Sequence, residues 1–158
     1  MQGNSRTSSR LDTSMSSKPS ISFRSGYKYQ LVEPYRCSVG IYPRMVIETK
    51  FISLSRSGRL TLKEGYAWDG PSGPAIDTPT FMRGSLVHDA LYQLMREGHL
   101  DRERTRPWTD RLLYRICRED GMSRIRALIV YLGVILFGEK NTKPSGARPI
   151  LHAPEVAS

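Results

Sequence analysis

The sequence predicts an α+β domain in which a small antiparallel β-sheet precedes three helices. β-branched and aromatic residues recur through residues 21–67, and apolar residues recur at helical spacing from residue 84 onward. A chain of 158 residues, 39% of them hydrophobic, is long enough to bury one core. We therefore expect a single domain over 21–139, with a β part over 21–67, a loop over 68–83 and helices over 84–138.

Both ends of the chain have compositions that favour loose structure. Residues 1–20 are rich in Ser and almost free of large apolar side chains, and residues 140–158 carry Pro, Gly and Ser. Such segments bury too little apolar surface to offset the entropy lost on ordering, so we expect a disordered arm and a flexible tail. The N-terminus lacks the apolar run of a signal peptide, so nothing in the sequence directs export.

The β part contains several segments with strand composition, namely YKYQLVE, CSVGIY, MVIETKFISLS and RLTLKEGYAW. The SRSG between the last two is a hairpin-type turn, so the sequence predicts one antiparallel sheet of three or four strands. The next segment is WDGPSGPAIDTPT, residues 68–80, whose three prolines and two glycines oppose regular structure. This loop brings Asp69 and Asp77 together with backbone carbonyl groups.

Helical periodicity predicts helices over residues 84–97 and 106–119. One face of the first helix carries the apolar residues Leu86, Val87, Ala90, Leu91, Leu94 and Met95. His88 and Tyr92 fall at the edge of that face, where core meets solvent. On the second helix Asp110 points toward the core, and an inward carboxylate needs a hydrogen-bonding partner.

The third helix is expected over residues 122–138. Its apolar run of about 11 residues is well short of the roughly 20 that span a bilayer, so it is either a core helix or an interfacial one. Lys and Arg exceed Asp and Glu by 24 to 15, giving a net charge of +9. This excess favours partners that carry phosphate, which are an anionic membrane lipid surface or nucleic acid.

The loop and the first two helices hold the residue types of a hydrolytic site. The candidates are Asp69, Gly70, Gly73, Asp77, His88, Asp89, Tyr92 and Asp110. Adjacent residues diverge by about 100° around a helix, so His88 and Asp89 cannot have the same role. A neutral His oriented by a buried carboxylate is a good general base, which predicts a hydrogen bond from His88 to Asp110. Asp89 with loop carbonyls is an all-oxygen environment that suits Ca²⁺.

These motifs also carry two resemblances. The order of a β-region, then GYAWDGPSGP, then HDALY, then a helix entered through Asp110 and Arg111 resembles a family of small tailed-phage proteins of unassigned function. That likeness covers roughly residues 25–138. It implies a location in the host cytoplasm or in a virion, with virion proteins as further candidate partners.

More remotely, HDALY is similar to the HDxxY helix of phospholipase A₂ enzymes, including the parvoviral capsid domain. In that family the His is the base, the following Asp binds Ca²⁺, and the Tyr steadies a second-helix Asp that orients the His. The resemblance implies that His88 is the base, that Asp89 binds Ca²⁺, and that Tyr92 supports the orienting Asp110. It also implies that Gly70, with its neighbours Asp69 and Gly73, occupies the position of the calcium loop.

Two hypotheses follow from the sequence. The first is a phage-encoded, Ca²⁺-dependent, phospholipase A₂-like hydrolase of lipid esters. The second is a non-enzymatic phage protein, either a virion or assembly component or a nucleic-acid-binding accessory factor, in which the His-Asp pair is structural. HD-type phosphohydrolases are excluded because they need a further upstream His, and residues 1–87 contain none. The three scattered His and two Cys also make a poor zinc ligand set.

Overall fold

The chain folds as an α+β domain, which confirms the predicted class. The computed structural model describes residues 20–21, 23–24, 29–70, 78–138 and 142. Within these ranges two antiparallel sheets precede three helices. Apart from Ser20 and Thr142, the predicted disordered arm over 1–20 and the predicted tail over 140–158 lie outside the described residues.

The strands of the described residues belong to two separate sheets. They are β1 (Phe23–Arg24), β2 (Tyr29–Leu31), β3 (Tyr35–Ser38), β4 (Ile47–Glu48), β5 (Ile52–Leu54), β6 (Arg59–Leu62) and β7 (Ala67–Trp68). One sheet has the order β1-β2-β7 and the other the order β3-β6-β5-β4. The expectation of a single sheet of three or four strands is therefore wrong. β2 ends at Leu31, and β3 begins directly after Pro34 and pairs with β6 of the other sheet.

The predicted hairpin at SRSG is confirmed. Leu54 of β5 pairs with Leu60 of β6 across this turn. Gly58 closes the turn by donating its backbone N–H to the carbonyl of Ser55 at 3.0 Å. Its φ of 77° lies in the left-handed region, which explains why this position is a glycine.

Three helices follow the sheets: α1 (Pro79–Arg96), α2 (Arg102–Glu119) and α3 (Arg124–Phe137). The first two begin earlier than predicted. Pro79 stands in the first turn of α1, where its missing N–H would have no helical partner in any case. The Asp101 side chain caps α2 by accepting the backbone N–H of Arg104 at 2.8 Å. The predicted starts at 84 and 106 are thus corrected to Pro79 and Arg102, and Pro107 lies inside α2.

The first two helices run antiparallel and approach closely. Arg83 of α1 contacts Asp120, just beyond the end of α2, whereas His88 contacts Asp110, which lies earlier in α2. A Cβ on Gly84 would lie 2.9 Å from the Cys117 Sγ, so the absence of a side chain there lets the helices pack this tightly.

Helix α1 is the central element of the core. Almost every side chain from Phe81 to Met95 is buried, including the six apolar residues that the sequence placed on one face. Trp68, at 2% exposed, ties β7 to this helix by donating its indole N–H to the Ser85 hydroxyl at 3.1 Å. Side chains on α1 are therefore held in place by more packing than those on α2 or α3.

Helix α3 is not a core helix, and so the first of its two predicted roles is wrong. Of its side chains only Ala127 is buried. The helix instead packs one side against α2, where the Tyr114 and Tyr131 rings meet edge to face at 6.1 Å. No helix in the described part of the chain is long and apolar enough to cross a membrane.

Candidate active site between the first two helices

His88, Asp110 and Tyr92 form one hydrogen-bonded cluster between α1 and α2. The His88 Nε2 lies 3.0 Å from the Asp110 Oδ1, so the hydrogen bond predicted from the sequence is confirmed. The Tyr92 hydroxyl donates to the same carboxylate oxygen at 2.7 Å. Tyr92 lies one helical turn after His88, which brings both side chains of α1 to one residue of α2.

The hydrogen bonding of Asp110 determines which nitrogen of His88 carries the proton. An ionised carboxylate only accepts hydrogen bonds, so the His88 Nε2 must be the donor. In the neutral imidazole the lone pair is then on Nδ1. That Nδ1 lies 3.8 Å from the Asp89 Oδ1, which is beyond hydrogen-bond distance. The nitrogen that would act as a base therefore faces Asp89.

The cluster is more deeply buried than the sequence predicted. His88 is 7% exposed, and Tyr92 and Asp110 are each 2% exposed. The predicted position of His88 and Tyr92 at the border with solvent is therefore wrong. Helical periodicity describes the faces of α1 alone, whereas Gly138, at the end of α3, closes over the Tyr92 hydroxyl.

The imidazolium form of His88 is stabilised by its neighbours. Burial alone lowers the pKa of His88, but the hydrogen bond to Asp110 and the negative charges of Asp89 and Asp110 raise it, and the net pKa lies above its ordinary value. Burial and the hydrogen bond to Asp110 also raise the pKa of Tyr92, which keeps its hydroxyl protonated as a donor. Asp110 thus holds the ring in one tautomer and favours its protonation.

Arg106 also belongs to the cluster, and sequence reasoning missed it. Its Nε lies 3.7 Å from the Asp110 Oδ2, one helical turn away, and it has no hydrogen-bond partner among the described residues although it is buried. Its Nη2 donates to the backbone carbonyls of Val134 and Ile135 in α3, at 3.3 and 2.8 Å. The i, i+4 spacing from Arg106 to Asp110 was the available signal.

Of the predicted calcium ligands, Asp89 lies beside His88, and Asp69 lies within electrostatic range of the Tyr66 hydroxyl. Asp89 keeps 31% of its side chain exposed, and Asp69 is exposed. Burial raises the pKa of the Tyr66 hydroxyl, and the charges of both Asp89 and Asp69 raise it further, so both carboxylates lie within electrostatic range of this group. No group of three or more His, Cys, Asp and Glu among the described residues is arranged to hold a metal.

The loop before α1 is only partly described. The predicted ligand Gly73 and the candidate Asp77 both lie outside the described residues. Gly70 is described: its φ is 73°, and a Cβ on it would lie 2.5 Å from the Tyr29 ring. Only glycine fits this conformation and this contact. Calcium binding by Asp89 and the carbonyls of residues 69–73 stays a prediction.

A second polar cluster, which sequence reasoning missed, joins the same helices. Arg83, at 6% exposed, donates from Nε and Nη2 to the Asp120 carboxylate at 2.8 to 3.1 Å. It also donates to Glu119 at 3.0 Å and reaches the Tyr35 hydroxyl at 3.4 Å. In this Arg83 cluster all three guanidinium nitrogens make hydrogen bonds, which hold α1, the end of α2 and β3 together.

The outer face of α2 carries a shallow cavity of about 120 Å³, lined by Trp108, Arg111, Leu112 and Arg115. The Trp108 indole N–H donates to the Val39 carbonyl at 2.7 Å, which fixes the ring. The Arg115 guanidinium lies 6.0 Å from the ring centroid. A fixed aromatic ring beside two arginines is a combination that binds anionic aromatic groups.

Comparison with known proteins adds no assignment, since no family model, curated protein or solved structure matches the chain. Any function must therefore be argued from the side chains of these clusters.

Proposed function

We propose that the chain is a Ca²⁺-dependent, phospholipase A₂-like hydrolase of lipid esters, encoded by a phage, in which His88 activates water. The observation that supports this most directly is the shared oxygen of Asp110. It accepts from both the His88 Nε2 and the Tyr92 hydroxyl, and so leaves the His88 Nδ1 as the basic atom. A His oriented in this way by a buried carboxylate is the arrangement of a general base.

Each residue of the cluster has a defined part in this chemistry. His88 accepts a proton at Nδ1 from the water that attacks the ester carbonyl carbon, and it returns that proton to the alkoxide that leaves when the ester C–O bond breaks. Asp110 stabilises the imidazolium that exists between these two steps. Tyr92 fixes Asp110 by the hydrogen bond at 2.7 Å. Because the neutral imidazole is the active base and the pKa of His88 is raised, the rate should increase with pH through that raised pKa.

Asp89 and the loop would hold the calcium ion. The Asp89 carboxylate is partly exposed beside the Nδ1 of His88, and the residues 69–73 would supply backbone carbonyls, which together are oxygen ligands that Ca²⁺ prefers. When bound, the ion supplies positive charge to the carbonyl oxygen of the ester.

The test is hydrolysis of mixed phospholipid vesicles by the full chain while Ca²⁺ is titrated. We expect fatty acid release that requires Ca²⁺ and is reduced about 100-fold or more in His88→Asn. The matched control is His99→Asn, because His99 has 41% of its side chain exposed and lies apart from the cluster. Asp89→Asn should abolish both Ca²⁺ binding and activity, whereas Asp101→Asn, which preserves a cap, should abolish neither. Activity that is absent with Ca²⁺, or unchanged in His88→Asn, would reject the proposal.

The second candidate function is nucleic-acid binding by a non-enzymatic accessory protein, and the cavity on α2 favours it. Trp108 is 38% exposed and offers a face for a base, while Arg111 and Arg115 would contact phosphate. Here the His88 cluster would only join α1 to α2, in keeping with its 7% exposure.

Salt dependence tests this second function. Affinity for a single-stranded oligonucleotide should fall log-linearly with salt, and Arg111→Ala with Arg115→Ala should lower both affinity and slope. Arg56→Ala is the control, since Arg56 is also exposed but lies in the β5–β6 turn. Deletion of residues 1–20 measures the share that the basic arm contributes. Binding that is insensitive to the double substitution would remove the role of this cavity.

A further inference from the structure

Helix α3 presents a continuous apolar surface to solvent. Its members, which we call the apolar face, are Ile125, Leu128, Ile129, Leu132, Ile135, Leu136 and Phe137, and they are 40 to 77% exposed. The first six share one side of the helix by their spacing, and Phe137 extends the exposed apolar surface at the last residue of the helix. Exposed apolar surface of this extent on one element marks an interaction surface, because scattered single residues are the normal pattern.

The opposite side of α3 fixes the helix to the domain. Ala127 is fully buried, and Val130 and Val134 pack against a cluster that contains Leu113 and Cys117 of α2. The helix is therefore held along its length, and the apolar face is presented on a rigid support. At 14 residues the helix is about 21 Å long, which suits a helix that lies along a surface.

The last turn of α3 is in contact with the candidate active site. Arg106 donates to the Val134 and Ile135 carbonyls and lies 3.7 Å from the Asp110 carboxylate. The residue after the helix, Gly138, lies against the Tyr92 hydroxyl, since a Cβ there would come within 2.7 Å of it. The C-terminal end of the apolar face thus adjoins the residues that orient His88.

We propose that the apolar face is a membrane-docking surface that inserts into the interfacial region of an anionic bilayer. No charged residue occurs between Arg126 and Phe137, so the face can enter the acyl boundary without desolvating a charge. Arg124, which begins the helix, is exposed, and the chain carries a net charge of +9, so its charge complements anionic headgroups. The inference rests on the proposed function for its purpose, but docking is measured without hydrolysis.

The experiment is sedimentation of the full chain with vesicles of about three parts phosphatidylcholine to one part phosphatidylglycerol. Ile129→Glu and Leu132→Glu should each lower the partition coefficient about tenfold or more. The matched control is Met45→Glu, which places the same charge at an apolar residue that is 76% exposed on another surface. Binding of the unchanged chain should weaken with salt without vanishing, because insertion persists when charges are screened.

Folding is checked separately for each variant by thermal unfolding, and a second pair of substitutions keeps the test valid if a Glu variant unfolds. Ile129→Ser and Leu132→Ser add no charge and should lower binding by a smaller factor. Wild-type binding in the α3 variants would overturn the proposal. The proposal would also be overturned if the unchanged chain does not bind vesicles but forms a dimer that Leu132→Glu dissociates. A second copy of the chain would then cover the apolar face.

Docking and hydrolysis can fail independently. His88→Asn should bind vesicles as the unchanged chain does, because His88 lies within the fold and not on the apolar face. If the chain binds vesicles but does not hydrolyse their lipids, the docking surface is supported and the proposed activity is rejected. If a soluble short-chain ester is hydrolysed while vesicles are not bound, the docking surface falls and the activity stands.

Discussion

Arg83 and His88 both lie on α1, and each contacts a carboxylate across the interface with α2. Arg83 contacts Asp120, just after the end of α2, and His88 contacts Asp110 within it. The guanidinium of Arg83 is permanently charged and is satisfied by Asp120, Glu119 and the Tyr35 hydroxyl. His88 instead carries a proton that it can release, and its Nδ1 lies beyond hydrogen-bond distance from Asp89. One cluster is chemically inert, whereas the other retains a titratable atom.

This difference bears on why the His88 cluster exists. The antiparallel helices are already joined by the Arg83 cluster and by the close packing at Gly84. A second connection through a titratable group is not needed for that purpose, and a buried ionisable pair is a poor source of net stability. The comparison therefore favours a chemical role for His88 and a structural one for Arg83. Substitutions in both clusters test this difference.

The largest expected effect is on the Arg83 cluster. Asp120→Ala leaves a buried guanidinium without its bidentate partner, and we expect the free energy of unfolding to fall by about 3 kcal/mol. Glu119→Ala is the control, because Glu119 is 51% exposed and its ion pair should contribute under about 1 kcal/mol. Urea unfolding measures both. A loss from Asp120→Ala no greater than that of the control would show that Arg83 is not the structural anchor.

The next effect concerns Asp110. Asp110→Asn keeps the shape of the side chain but removes the charge, and we expect a loss of about 2 kcal/mol because two buried donors lose a charged acceptor. Since burial lowers the pKa of His88 and Asp110 raises it, the pKa of His88 should fall in the variant. The imidazole resonances in NMR spectra report that pKa directly. An unchanged pKa would mean that Asp110 does not control the protonation of His88.

The sequence predicted part of this arrangement, for identifiable reasons. Helical periodicity alone turned Asp110 inward and grouped Leu86 with Leu91, because both facts depend on one helix. The same periodicity placed His88 at the border with solvent, because it describes one helix at a time. It does not show that Gly138, after the end of α3, lies against the Tyr92 hydroxyl beside His88. Arg83 was missed because it fell within the predicted loop, before helix α1 was known to begin at Pro79.

A smaller effect is expected at Tyr92. Tyr92→Phe removes the hydroxyl that donates to Asp110 at 2.7 Å but keeps the ring beside His88, where the ring centroids are 4.0 Å apart. We expect a loss of about 1 kcal/mol in the free energy of unfolding. If Tyr92 only positions Asp110, hydrolysis should fall less than in Asp110→Asn, with KM unchanged. Hydrolysis that falls as far in Tyr92→Phe as in Asp110→Asn would give the hydroxyl more than a positioning role.

The smallest effect is the pH dependence of stability that His88 contributes. Burial opposes the imidazolium form, but Asp110 and Asp89 raise the pKa of His88 above its value in the unfolded chain. A raised pKa means that the folded state binds the proton more tightly, so its contribution to stability is complete below the unfolded pKa of about 6.5 and is lost as pH rises through the folded value.

The difference in unfolding free energy between the unchanged chain and His88→Gln should therefore shrink as pH increases from about 6 to about 8. Burial raises the pKa of Cys37 to about 11, so that folded-state thiol does not titrate in this window. A difference that stays constant or grows with pH would show that His88 is held neutral, and the charge-assisted bond to Asp110 would then be absent.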